Sequence, residues 1–290
     1  MKKIFLIVAL FTQAILIHAQ GNRSNLSVKI DTANFDFKSF AENICANKTS
    51  SLEKAKTLLH FVSNTLQWLP TDYKQRTVKE ILARGGGNCY ELAKVYMKFI
   101  KVLNIKYRQI AEINIQPISE NRQNTAAKKV QQIGNKMSVF GLQHNDHRWV
   151  EIYDESTNKW IPVDPTMNVF GVTEWLKARV WFGTRVTIDT TITNEMIVPF
   201  AVFVNNSAKN SKWKSLTDHY LIDEFNELYN NELSKLSAWN SWVTLIKKLN
   251  EPARLAFEGK VNLHSYSTKI SEIATTYQLL KKEYYTIKND

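Results

Sequence analysis

The sequence predicts an α+β fold in which a buried helix opened by Cys89 packs on an antiparallel sheet, followed by a mixed, mainly helical region. Three observations predict it. A capped helix with a broad apolar face follows Gly85-Gly86-Gly87. Two strand-like runs, His147–Tyr153 and Lys159–Val163, flank the turn cluster Asp154–Asn158 in the manner of a hairpin. From Leu216 onward the apolar residues recur at helical spacing.

Residues 1–19 read as a secretory signal peptide. Lys2-Lys3 form a basic start, Ile4 to Ile17 is apolar apart from Thr12 and Gln13, and Ala19 precedes the expected cut. An uncleaved anchor is the alternative, because Ile17 is larger than the usual residue at its place; the run is short for a membrane span. The mature chain is expected to begin near Gln20, to be secreted or periplasmic, and to have no integral membrane segment after cleavage.

Removing residues 1–19 from the 290 leaves 271, enough for one large domain or a core with an extension. Loss of Lys2 and Lys3 lowers the net charge from +11 to +9. Such a balance suits acidic surfaces such as cell-wall polymers, but the lysines are scattered and solubility alone explains them. No nucleic-acid motif appears, and no nucleic-acid partner is expected. Only two cysteines are present, Cys45 and Cys89, which excludes a disulfide framework. In an oxidising compartment those two can pair with each other. The expectation is that they do not, since a bridge would consume Cys89.

Residues 20–48 are polar with little periodicity and read as a lead-in. Ser50 and Glu53 have capping-box spacing, and Leu52, Ala55, Leu58, Leu59, Val62 and Leu66 make one apolar face, so a helix starts near Ser51. Pro70 ends that stretch. Thr77 and Glu80 repeat the box before a short helix through Ala83. Asn88 is a good N-cap with Glu91 three residues on, which makes Cys89 the first residue of a helix. Leu92, Ala93, Tyr96, Phe99, Ile100 and Leu103 form its apolar face. Residues 106–116 read as a strand. Residues 117–144 are polar and insertion-like. The core is placed at 49–171 and an extension at 172–290. In the extension, Trp175 to Phe203 suits further strands, 205–214 a linker, and the later helical text breaks near Pro252 and Gly259. Its many tryptophans and phenylalanines need a surface to bury against, so it is expected to pack on the core.

Cys89, His147 and Asp164 are the candidate catalytic residues. A thiol attacks as the thiolate, and the unpaired N–H groups of a helix's first turn favour that charge. An imidazole takes and returns the proton, and a carboxylate fixes its tautomer. His147 shares a strand face with Trp149, Glu151 and Tyr153, and Asp164 directly follows the returning strand, so a hairpin can bring them together. His144 is a rival base, and Asp164 before Pro165 is also an ordinary turn start. Metal binding by Cys89, His144, Asp146 and His147 is weighed and not expected, because no second thiol lies near in sequence. No cofactor is expected.

Gly87-Asn88-Cys89 with Ala93, His147-Arg148-Trp149-Val150-Glu151, and Trp160-Ile161-Pro162-Val163-Asp164-Pro165-Thr166 resemble, in order and spacing, the motifs of the transglutaminase-like superfamily. The resemblance spans about Ser51 to Gly171. It implies a papain-like α+β core with Cys89 as nucleophile, His147 as general base and acid, and Asp164 as orienter. One departure is Asn104-Ile105-Lys106-Tyr107-Arg108, where the family often has Gly-Ile-Pro-Ala-Arg. A second oxyanion donor beside the Cys89 N–H is sought upstream, at Trp68 or Gln75, with neither preferred. The resemblance implies a cysteine protease-like hydrolase, an amidase or an acyltransferase acting on a peptide, protein or cell-wall substrate through a thioester, with hydrolysis favoured because water is the abundant acceptor outside the cell. The alternative is a non-catalytic binding or scaffold module that keeps the fold.

Overall fold

The structure is a computed structural model that describes residues 30, 32–72, 74–115, 145–185, 198–205, 212–258, 260–261 and 263–289. The expected signal peptide, His144, all of 117–144 and the expected break at Gly259 lie outside these residues.

The first helix among the described residues is α1 (Phe37–Ile44), capped by the Asp36 side chain, which accepts from the Lys38 N–H. The polar reading of 20–48 misses this helix. Its aromatic residues outweigh the polar ones: Phe35, Phe37 and Phe40 cluster with Phe61 and Phe99 at centroid distances from 4.7 to 6.5 Å. Helices α2 (Ser51–Thr65) and α3 (Val78–Arg84) each carry the expected capping box. Short strands β1 (Gln67–Trp68) and β2 (Gly86–Gly87) pair in parallel, Gln67 with Gly86 and Trp68 with Gly87. Next comes α4 (Cys89–Val102).

The main sheet is antiparallel and has the order β6-β5-β4-β3-β7-β8. Its strands are β3 (Tyr107–Asn114), β4 (Asn145–Asp154), β5 (Lys159–Asp164), β6 (Val169–Phe170), β7 (Pro199–Asn205) and β8 (Lys214–Ser215). Asn104, at the α4–β3 turn, has φ +58°. The turn needs a left-handed residue, and asparagine supplies the conformation that glycine takes most readily. This accounts physically for the departure noted above. Asn158 does the same at the β4–β5 turn, with φ +57°.

Helices cover both faces of the sheet. On one, Val150, Ile152 and Val163 meet α1 to α4 in a single buried cluster. On the other, Ile110 and Trp149 meet α5 (Val172–Arg179), α6 (Glu224–Leu228), α7 (Trp239–Phe257) and α8 (Ser267–Asn289). The strand alternation at Trp149 and Val150 thus selects which helical layer each side chain enters. The sheet runs on past Gly171, since β7 and β8 come from beyond it. Two expectations differ there. Trp175 lies in a helix, its indole packed on Trp149 at 5.1 Å, so the aromatic-rich text before β7 is in part helical. Pro252 lies inside α7 without breaking it. The proline forfeits one backbone hydrogen bond, while Ala253 and Ala256 beyond it are buried and hold the last turns in place. Among the described residues no helix is long and apolar enough to cross a membrane.

Candidate active site

The glycines before Cys89 set its position. Gly85 ends α3 in the left-handed region at φ +76°. Gly86 lies so close to β1 that a Cβ there would stand 2.2 Å from the Gln67 carbonyl oxygen. The turn can therefore reach β1 only with glycine at 86. Asn88 then caps α4: its side chain accepts from the Glu91 N–H at 3.0 Å, and Glu91 accepts from the Asn88 N–H at 3.1 Å. Buried Glu91 is also ion-paired to Arg76 at 2.9 Å. Cys89 is thereby fixed as the first residue of the helix.

The structure brings Cys89, His147 and Asp164 together. His147 Nε2 lies 2.7 Å from Asp164 Oδ2. This engages Nε2, and hydrogen bonding with the Cys89 side chain is among the causes that raise the imidazole pKa. All three residues are buried. The Asp164 turn is itself tied down. Its Oδ1 accepts the Thr166 N–H at 2.9 Å, and Ser63 of α2 donates to the Pro165 carbonyl at 2.7 Å. Asp164 is thus both the turn starter and the partner of the imidazole.

Burial pushes the His147 pKa down, and Arg179 pushes the same way. The Asp164 charge, its hydrogen bond and the Cys89 contact outweigh them and carry it up to about 10. For Asp164, burial works upward; His147, Arg179 and the Thr166 N–H together hold the carboxyl below its ordinary value. The site therefore favours an imidazolium–carboxylate pair. Linkage fixes the sign of its contribution to stability. The His147 part is complete below its ordinary value of 6.5 and is lost as pH rises through about 10. The Asp164 part is complete above 3.8 and is lost as pH falls through the lower folded value. Chemical denaturation across pH checks this: the stability advantage of the wild type over His147→Gln should shrink between pH 6.5 and 10, and an advantage that stays flat or grows contradicts it.

Comparison with known families matches the Transglutaminase-like superfamily core to residues 38–165. Residues 38–165 are a transglutaminase-like domain. Comparison with curated protein sequences finds no match. Among solved structures, Rad4-Rad23 bound to a 6-4 photoproduct UV lesion is 10% identical with a TM-score of 0.37, over 96% of this chain and 58% of that one. Rad4-Rad23 crosslinked to an undamaged DNA is 11% identical with a TM-score of 0.38, over 97% of this chain and 57% of that one. These are remote likenesses, and the chain spans less than two thirds of the length of the chains it resembles.

Within the transglutaminase-like domain, Arg108 and Glu151 lie opposite each other on β3 and β4 and form an ion pair, and Tyr220 donates to Glu151. That motif acid supports the sheet four residues along β4 from His147. Of the two upstream oxyanion candidates, Trp68 is placed beside Gly87 by the β1–β2 pair, and Gln75 is exposed in the loop before α3. Both cysteines are free thiols; buried Cys45 donates to the Lys54 carbonyl at 3.7 Å.

Two neighbours of the triad escape sequence reasoning, Glu112 on β3 and Arg179 on α5. Arg179 donates to Asp164 at 3.0 Å and lies 3.1 Å from Glu112, which also accepts from the Trp149 indole at 3.0 Å. A signal exists for each. Glu112 interrupts the apolar run Ile110-Ala111-Glu112-Ile113, and Arg179 falls four residues after Trp175, on the same helical stripe.

Proposed function

We propose that the protein is a secreted or periplasmic thiol-dependent acyl hydrolase or transferase that cleaves a peptide or carboxamide bond. The observation that carries this reading is the 2.7 Å His147–Asp164 contact beside a thiol at the first residue of a helix. Cys89 attacks the carbonyl carbon as the thiolate, and the N–H groups of the α4 first turn favour the oxyanion that develops. The C–N bond breaks as the His147 imidazolium gives its proton to the leaving nitrogen, and a thioester remains on Cys89. His147, now neutral, takes a proton from water or an amine as that acceptor attacks. The C–S bond breaks, releasing an acid or a new amide, and the thiolate–imidazolium pair stands as it began. Asp164 keeps the imidazole oriented throughout. Hydrolysis is the favoured outcome, with a peptide, protein or cell-wall fragment as acyl donor.

Intact-mass measurement of the full chain with an activated acyl ester and with glutaminyl peptides tests this. An acyl adduct that maps to Cys89 and is released by hydroxylamine is expected. Absence of any adduct on wild-type protein would leave the fold as a non-catalytic binding module.

A further inference from the structure

We propose that Arg179 is a positioning residue for the Asp164–His147 pair: it draws Glu112 away from the imidazole and leaves Asp164 as its partner. The proposal rests on the thiol-enzyme reading above.

The sheet register creates the problem that Arg179 solves. Glu112 is the direct cross-strand partner of His147, so the two side chains share a face. Side chains at such positions start only about 5 Å apart. A buried carboxylate there competes with Asp164 for the same imidazole, and capture by Glu112 would turn the ring away from Cys89. Both carboxylates are almost completely buried, Glu112 at 0% and Asp164 at 1% exposure, so neither can turn to solvent instead.

Arg179 answers both at once. Its Nη2 donates to Asp164 Oδ2 at 3.0 Å, and its Nε lies 3.1 Å from Glu112 Oε1. The Trp149 indole donates to the other Glu112 oxygen at 3.0 Å. Glu112 is thus held from two sides, while Asp164 keeps Oδ2 directed to both His147 and Arg179. The guanidinium stands between the two carboxylates, hydrogen-bonded to Asp164 and in ion-pair contact with Glu112, with no hydrogen bond formed between its Nε and Glu112 Oε1. The charged groups around His147 are then Glu112 on β3, Asp164 on β5, Arg179 on α5 and the Cys89 thiol on α4. On β4 itself, Asp146 is taken by Arg148 at 2.9 Å. Arg185 donates to the Arg179 carbonyl and so supports the end of α5. Arg179 lies beyond residue 165, where the family match ends. The candidate site thus takes a residue from the region that follows the family-matched domain.

The test is the rate and pH profile of Cys89 alkylation by iodoacetamide in the full chain, read by peptide mapping. Arg179→Gln should slow the reaction about 100-fold, the scale of a misplaced catalytic group. It should also move the acid limb to higher pH, because a nearby positive charge is lost. Adding Glu112→Gln to that variant removes the competitor and should restore the rate to within about tenfold of wild type, because the Glu112–Arg179 pair is then replaced by two neutral amides while Asp164 keeps His147 as its counter-charge. A purely structural role would lower stability without shifting the pH profile and without rescue by Glu112→Gln. Wild-type reactivity in Arg179→Gln, or no rescue in the double variant, overturns the proposal. If Arg179→Gln does not fold, Arg179→Lys takes its place, with a partial slowing and the same rescue expected; an unchanged rate overturns the proposal equally. A slow wild type that is indifferent to His147→Ala instead defeats the thiol-enzyme reading on which the proposal rests.

Discussion

Truncation after Gly171 should leave no cooperatively folded protein. The cut removes β7 and β8 from the sheet, exposing the long edge of β3, and strips the buried partners of Ile110, Ile113 and Trp149. Re-exposing each such side chain costs roughly 1.5–3 kcal/mol. The cut also removes Arg179 from between Asp164 and Glu112, and breaking a buried pair of this kind costs about 3–5 kcal/mol. Together these losses match the entire stability of a typical domain, about 5–15 kcal/mol. Circular dichroism melts of residues 20–171 should therefore show no sharp transition, with association in place of a monomer in size-exclusion chromatography. A soluble monomer with a cooperative melt would show that the two regions fold independently.

Cys89→Ala should abolish the acyl adduct completely while changing the melting temperature little. The side chain is small and lies at the start of α4, where the Asn88–Glu91 capping box survives its loss. Asp164→Asn should retain measurable acylation, because the carboxylate orients the imidazole and forms no bond to substrate. Its effect on stability should be the larger of the two, since Asp164 anchors Arg179, His147 and the Thr166 N–H. Intact-mass acylation assays and thermal melts on the three proteins read both quantities. An adduct persisting in Cys89→Ala would assign the chemistry to another residue.

The central elements are legible because local rules and tertiary packing agree there. Ser50–Glu53, Thr77–Glu80 and Asn88–Glu91 are three boxes that each place a helix start to the residue. The β4–β5 hairpin follows from alternation around a polar turn. The residues that escape are those whose partners lie far along the chain. Helix α1 is built on contacts between Phe40 and the distant Phe61 and Phe99, which no local window contains. The helix at Trp175 is stabilised by Trp149 and Tyr220, against the strand preference of the text around it. Arg179 and Glu112 are each visible as a charge on an apolar face. That they meet beside His147 depends on the β3–β4 register and the docking of α5, and neither is encoded in a spacing.

The claim that Cys89, His147 and Asp164 form an activated thiol is tested most directly within one molecule, by the relative alkylation of its two cysteines. Cys45 is the internal reference: it is buried, and desolvation pushes its thiol pKa up. Iodoacetamide labelling of the full chain at neutral pH, quantified peptide by peptide, should modify Cys89 at least 100-fold faster than Cys45, the scale expected when a positioned base adds its typical 10²–10⁴-fold contribution. The excess should vanish in His147→Ala. Equal rates at the two cysteines, or a fast Cys89 that is indifferent to the loss of His147, would contradict the account.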